Sequence, residues 1–167
     1  MSDQLSIALT FLSALGCGLI AGVFFAFSTF VMKALSALPS AQGITAMQSI
    51  NIVVINPWFM AAFLGTGALC TALAILAVLR WNEPPALYLL AGSLLYLLGT
   101  IGVTMAFNVP RNDALAAMTP ASPESAALWV EYVSSWTMWN HVRTVAALAA
   151  SALLILALFL QRTGRAT

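Results

Sequence analysis

The stretch Trp136-Thr-Met-Trp-Asn-His-Val-Arg-Thr144 gathers the chain's only histidine, His141, with the amide of Asn140, the guanidinium of Arg143, the hydroxyl of Thr144 and two of the five tryptophans. An imidazole exchanges protons near neutral pH. A guanidinium and amide groups stabilise a developing oxyanion, and indole rings stack on flat aromatic molecules. On a helix each residue advances about 100°, so Asn140, His141, Arg143 and Thr144 fall within half the circumference and are expected to face one pocket. Such a group carries polar chemistry to the edge of the apolar run that ends at Arg162.

The elements that must position this stretch are written in the rest of the composition. Apolar residues make up 62% of the chain and charged ones only 7%, against about 45 to 50% and 25% in soluble domains. No Asp, Glu, Lys or Arg occurs between Asp3 and Lys33, Lys33 and Arg80, Glu83 and Arg111, or Arg143 and Arg162. Each gap accommodates a helix of about 20 apolar residues, the length that crosses a hydrocarbon layer of roughly 30 Å. The predicted spans are about 5–32, 58–80, 86–107 and 141–160, in one membrane domain covering 1–167. Only helices satisfy their own backbone in lipid. The predicted fold is therefore all-α: an integral membrane four-helix bundle, with an interfacial helical segment between helices one and two and an extramembrane extension before helix four.

Local signals refine this outline. Helix one has Asp3 and no basic residue at its start, and its apolar run is far longer than a signal-peptide core, so it is expected to be retained. Ala14, Gly18, Gly22 and Ala26 recur every four residues and form a groove for close helix contact, a possible homo-oligomer surface. In the segment between helices one and two, Met47, Ile50 and Val54 repeat at helical spacing. Asn56-Pro57 reads as the cap and first position of helix two. Thr100, Thr104 and Asn108 form a polar row on helix three, and Pro110 is expected to end that helix. Ser122 and Pro123 read as a helix start. A helix from there to Leu160 would be about 57 Å long at 1.5 Å per residue, so it either projects beyond the bilayer or bends near Trp136.

Four crossings bring the end of helix one, the start of helix two, the end of helix three and the start of helix four to the same side. Those ends carry Ser28, Lys33, Asn51, Asn56, Asn108, Asn112, Asn140, His141 and Arg143. The expectation is a cavity at one membrane face, walled by aromatic rings and lined with amides. Each residue also has a plainer role: Arg143 reaches the interface or pairs with Glu131 or Asp113, His141 is a hydrogen-bonded helix-start residue, and Trp136 and Trp139 anchor the helix at the interface. The charge distribution excludes nucleic acid as a partner, since a net charge of +1 provides no basic stripe. The partners expected are the lipid bilayer and a small aromatic or lipophilic ligand. Two cysteines and one histidine are too few donors for a zinc site or a haem ligand pair, so no metal or other cofactor is expected. If Arg111 and Arg143 belong to a site, Arg80, Arg162 and Arg165 put both termini in the cytoplasm, in a membrane of the bacterial inner type.

Gly22-Val-Phe-Phe-Ala-Phe-Ser28, Gln48-x-x-Asn51, Asn56-Pro-x-Phe-Met60, Asn108-Val-Pro-x-Asn112 and Trp136-x-x-Trp-Asn-His-Val-Arg-Thr144 together resemble the anthrone oxygenase-like family of small four-span membrane proteins. The resemblance implies oxidation of an anthrone-like ring ketone by O2 without metal or flavin, the substrate's own enolate serving as the reductant. It implies a general base at His141 and oxyanion donors at Arg143, Asn140, Asn108 and Asn112. Trp136, Trp139, Phe25 and Phe27, with Ser28, Asn51, Asn56, Thr104 and Thr144, would surround the substrate. Two other readings stay open: a non-catalytic protein that binds a lipid, quinone or other aromatic molecule in the same pocket, and a structural protein that acts by oligomerising.

Overall fold

The structure, a computed structural model, describes residues 3–122 and 124–163. Five helices account for it: α1 (Asp3–Ser36), α2 (Ser40–Val53), α3 (Pro57–Leu79), α4 (Ala86–Ala116) and α5 (Ser125–Thr163). Four of them, α1, α3, α4 and α5, are long and apolar enough to cross a membrane. They form an up-down-up-down bundle in which α1 packs on α3 and α5, and α4 on the same two. The outer faces carry large apolar side chains such as Leu19, Leu64, Leu98 and Leu148, each more than half exposed. That surface suits hydrocarbon, and the protein is an integral membrane bundle.

Two apolar clusters hold it together by different physics. The first lies between the spans and is built from Ala14, Cys17, Ile20, Phe63, Cys70, Leu73, Tyr96, Ala147, Ala150 and Leu154. Lipid tails are as apolar as these side chains, so close contact rather than escape from water favours their association. Gly99 provides such a contact: a methyl there would sit 2.6 Å from the Ala146 Cβ, so α4 and α5 touch backbone to side chain one turn from Thr104 and Arg143. The second cluster unites Met32, Leu35, Ile44, Met47, Leu115, Trp129, Tyr132 and Trp136 at the far end of the bundle, where α2 packs on it. Here burial from water contributes about 1.5 to 3 kcal/mol for each large side chain. Gln48 fastens this cap by donating from Nε2 to the carbonyls of Leu115 at 2.8 Å and Met118 at 3.2 Å, satisfying oxygens at the end of α4.

One sequence expectation changes and one open alternative is decided. Pro110 does not end α4, which continues to Ala116. A π-helical turn, Thr104–Asn108, precedes the proline, so its missing amide falls where the hydrogen-bond register is already shifting. The Arg111 guanidinium also donates to the Phe107 carbonyl at 2.7 Å. Helix four is continuous through Trp136: α5 has 39 residues, roughly 58 Å at the helical rise, and it projects past the hydrocarbon to form one wall of the cap. Its expected start at Pro123 lies outside the described residues. The described helix begins at Ser125, whose hydroxyl donates to the carbonyls of Pro120 and Ser122.

Candidate functional site

From the end of the bundle that holds Asp3, Arg80, Ala86 and Arg162, about 20 residues of helix carry each span across roughly 30 Å. That distance brings Phe24, Met60, Thr104 and Arg143 to a common depth, at the far edge of the hydrocarbon and beneath the cap. A cavity of about 220 Å³ lies there. Phe24 and Phe27 from α1, Phe59, Met60 and Phe63 from α3, and Trp136 from α5 make much of its wall apolar. Asn51, Thr104, Asn112 and Arg143 are its polar lining.

Arg143 dominates the electrostatics. It is 4% exposed, and a buried charge is costly unless its donors are met. Nη2 donates to Asn140 Oδ1 at 2.7 Å and Nη1 to Thr104 Oγ1 at 3.2 Å. The guanidinium carbon lies 4.2 Å from the Phe24 ring centre and 5.0 Å from that of Trp136, so two ring faces add cation–π attraction. Nε is buried and has no acceptor. Among the described residues no carboxylate pairs with Arg143: the ion pairs present join Arg80 to Asp3 and Glu83. Glu131 and Asp113, the partners considered from sequence, are exposed.

A second layer fixes Arg143. Asn140 is fully buried and donates to the Phe24 carbonyl and to Ser28 Oγ, both at 2.7 Å. Thr144 donates to the Asn140 carbonyl at 2.8 Å and lies 3.1 Å from Ser28 Oγ. Asn140, Ser28 and Thr144 therefore orient the guanidinium from behind and do not line the cavity. Thr104 keeps its oxygen toward Nη1 because its own hydroxyl donates to the Thr100 carbonyl at 2.7 Å.

The other polar end is set by Asn112. Its Oδ1 accepts from Trp136 Nε1 at 2.8 Å and from the Tyr132 hydroxyl at 2.9 Å. The oxygen is thereby occupied, which leaves the amide NH2 as the group offered to a ligand. Asn108 lies behind the wall, 1% exposed, and donates to the Trp136 carbonyl at 3.2 Å.

The remaining expected residues lie elsewhere. His141 is exposed and lines a shallow outer groove with Thr29, Lys33 and Met138. The expectation that it shares a pocket with Arg143 is corrected: the two occupy opposite edges of the helical arc, and only the Arg143 edge meets α4. Phe25 is 56% exposed and points away. Trp139 stacks on Phe107 with ring centres 3.5 Å apart and is no part of the lining. Asn56 accepts from the amides of Trp58 and Phe59 and caps α3. Phe24, Phe59 and Phe63 line the cavity and were not among the expected residues. For Phe24 a signal existed, since Cys17, Ile20, Ala21 and Phe24 follow one another at helical spacing along the buried face of α1.

Chemically, the arrangement offers a mostly apolar cavity that also holds a buried guanidinium and amide groups. A family model described as anthrone oxygenase matches residues 58–153, which include most of this lining and all of its α3, α4 and α5 members. No curated protein and no solved structure matches the chain.

Proposed function

The chain belongs to the anthrone oxygenase family, and on that premise we propose that the cavity takes an anthrone or a similar polycyclic phenolic ketone and supports its oxidation by O2. The observation that carries this reading is Arg143, a buried guanidinium with no carboxylate among the described residues and an unpartnered Nε beside a cavity with aromatic rings in its wall. When the ring CH2 loses a proton, negative charge gathers on the ketone oxygen. A cation in a low-dielectric site stabilises that charge and so favours the enolate. The electron-rich ring carbon then passes electrons to O2 and forms a C–O bond. Loss of the second hydrogen with cleavage of the O–O bond leaves a carbonyl and releases water. One CH2 and one O2 become one C=O and one H2O, and the substrate is the reductant.

The lining contains no carboxylate or imidazole and His141 lies in the outer groove, so His141 does not take the first proton. That same feature favours a second reading, in which the cavity binds a quinone or another lipophilic aromatic molecule without turnover. We assign the protein to a bacterial inner membrane with both termini cytoplasmic. Arg111 donates to Ser135 Oγ and the Phe107 carbonyl, and Arg143 is internal. Arg80 and Arg162 are then the arginines that count for orientation.

Oxygen uptake by the purified protein in lipid nanodiscs after addition of an anthrone tests the proposal. The expected result is one O2 consumed per quinone formed, with Arg143→Gln slower by about 10²- to 10³-fold, as for loss of an oxyanion donor. Uptake no faster than in empty nanodiscs, with ligand still bound, would leave the binding reading in its place.

A further inference from the structure

We infer that the cavity opens sideways into the lipid leaflet, through a gap between the α2–α3 corner and α4, and that its ligand enters from the bilayer. This rests on reading the cavity as the ligand site. Two of its lining residues are also strongly exposed, Ile55 at 72% and Met105 at 60%, and these therefore form its mouth. Beside Ile55, the corner exposes Ile52 at 74%, Val53 at 67% and Trp58 at 87%. A contiguous patch of this kind is unfavourable in water and marks a contact surface. Its occupant follows from continuity: α3 begins at Pro57, and Met105 lies within the α4 span, so the patch prolongs the lipid-facing sides of two membrane helices.

The depth agrees with this assignment. Met105 stands about 19 residues after the start of α4, roughly 29 Å along a helix, which is the thickness of the hydrocarbon layer. The mouth thus sits where acyl chains meet headgroups. A lipophilic ring system concentrates at that level, and an indole such as Trp58 belongs there.

The two sides of the gap differ in stiffness. Asn56 holds the corner by accepting from the Trp58 amide at 3.1 Å and the Phe59 amide at 3.0 Å, while its Nδ2 donates to the Val53 carbonyl at 3.0 Å. Met105 lies in the π-helical turn Thr104–Asn108 and carries a flexible, unbranched side chain. Met105 is the adjustable side of the gate. The ligand class is accordingly a neutral, membrane-dissolved ring ketone that acquires its negative charge only at Arg143. A permanently charged analogue has no route through such a mouth.

Nitroxide labels at Ile55→Cys and Met105→Cys test the orientation of the mouth in nanodiscs, with Leu148→Cys as the lipid reference and Glu124→Cys as the water reference. Cys17 and Cys70 are fully buried and do not compete for the label. Collisions with O2 should exceed those with a water-soluble nickel chelate at both mouth positions, as at Leu148→Cys. Dominant nickel collisions at both would overturn the inference. Anthraquinone and its sulfonate, added to unlabelled protein and followed by tryptophan quenching, test the route. Anthraquinone binding should saturate with its mole fraction in lipid, and Met105→Trp should slow its association by about tenfold. Sulfonate that binds as fast as anthraquinone would refute entry from the bilayer. If neither compound binds while the labels report lipid, the ligand reading fails and the route with it, whereas the membrane contact of the corner stands.

Discussion

Each end of the bundle carries an arginine at the membrane edge, and the two are handled in opposite ways. Arg80 lies at the α3–α4 turn, partly exposed, with Asp3 Oδ1 at 3.4 Å and Glu83 Oε1 at 3.5 Å. Arg143 is buried among an amide, a hydroxyl and two ring faces, with Nε unsatisfied. At the first end, opposite charges cancel in a polar medium and little energy is at stake. At the second, neutral groups hold the cation in place without cancelling it, which leaves its field available to the ligand proposed above. The contrast separates an arginine that completes a surface from one that maintains a site.

The sharpest way to break this contrast is to make the second end like the first. Asn140→Asp puts a carboxylate where Oδ1 already meets Nη2 at 2.7 Å. The expected outcome is a fall in anthrone-dependent oxygen uptake of about 10²-fold, since the oxyanion donor is neutralised internally. Thermal unfolding in detergent should also shift, since a carboxylate cannot donate to the Phe24 carbonyl and Ser28 Oγ as the amide does, so uptake is compared per folded protein. A variant as active as the parent would mean that the free charge is irrelevant. Next in size is Thr104→Val, which removes the acceptor of Nη1 but retains shape. It should cost about 1 to 3 kcal/mol in reversible unfolding, the usual consequence of stranding a buried donor. Arg80→Ala should change stability by only about 0 to 1 kcal/mol, as exposed pairs do, and should leave oxygen uptake intact. An effect as large as that of Thr104→Val would erase the distinction between the ends. The smallest effect is expected from His141→Ala, because the side chain is exposed and off the cavity. A rate loss approaching the 10²- to 10⁴-fold typical of a general base would return it to the chemistry.

How much of this was legible beforehand differs with the distance over which each feature is determined. The spans follow from gaps in charge, and the Asn140–Arg143 pair from helical spacing, because both are properties of one helix. Thr100, Thr104 and Asn108 also come inward as their spacing implies, with Thr100 and Asn108 buried and Thr104 at the cavity. His141 exposes the limit of the method. A helical wheel shows which side chains are neighbours, but α5 meets α4 along only one edge of the arc, and that edge carries Arg143. In the run Phe24-Phe-Ala-Phe27, aromatic residues stand on several faces, so composition alone does not phase it. Contact with α3 and α5 selects Phe24 and Phe27 and turns Phe25 outward. Pro110 was misread for a related reason: the rule for proline assumes an α-helical register, and the π-helical turn before it relaxes that condition.

The central claim is that Arg143 holds uncancelled positive charge against the ligand, and the ionisation of a bound ligand measures it most directly. A hydroxyanthraquinone, which does not consume O2 in this way, reports its own phenolate by absorbance while seated in nanodisc-embedded protein. A nearby cation favours the charged form and lowers the phenol's pKa, so the phenolate band should appear at lower pH with the parent protein than in empty nanodiscs. In Arg143→Gln that shift should vanish with the ligand still bound. An identical titration for the parent and the Arg143→Gln variant, with the dye bound to both, would contradict the account.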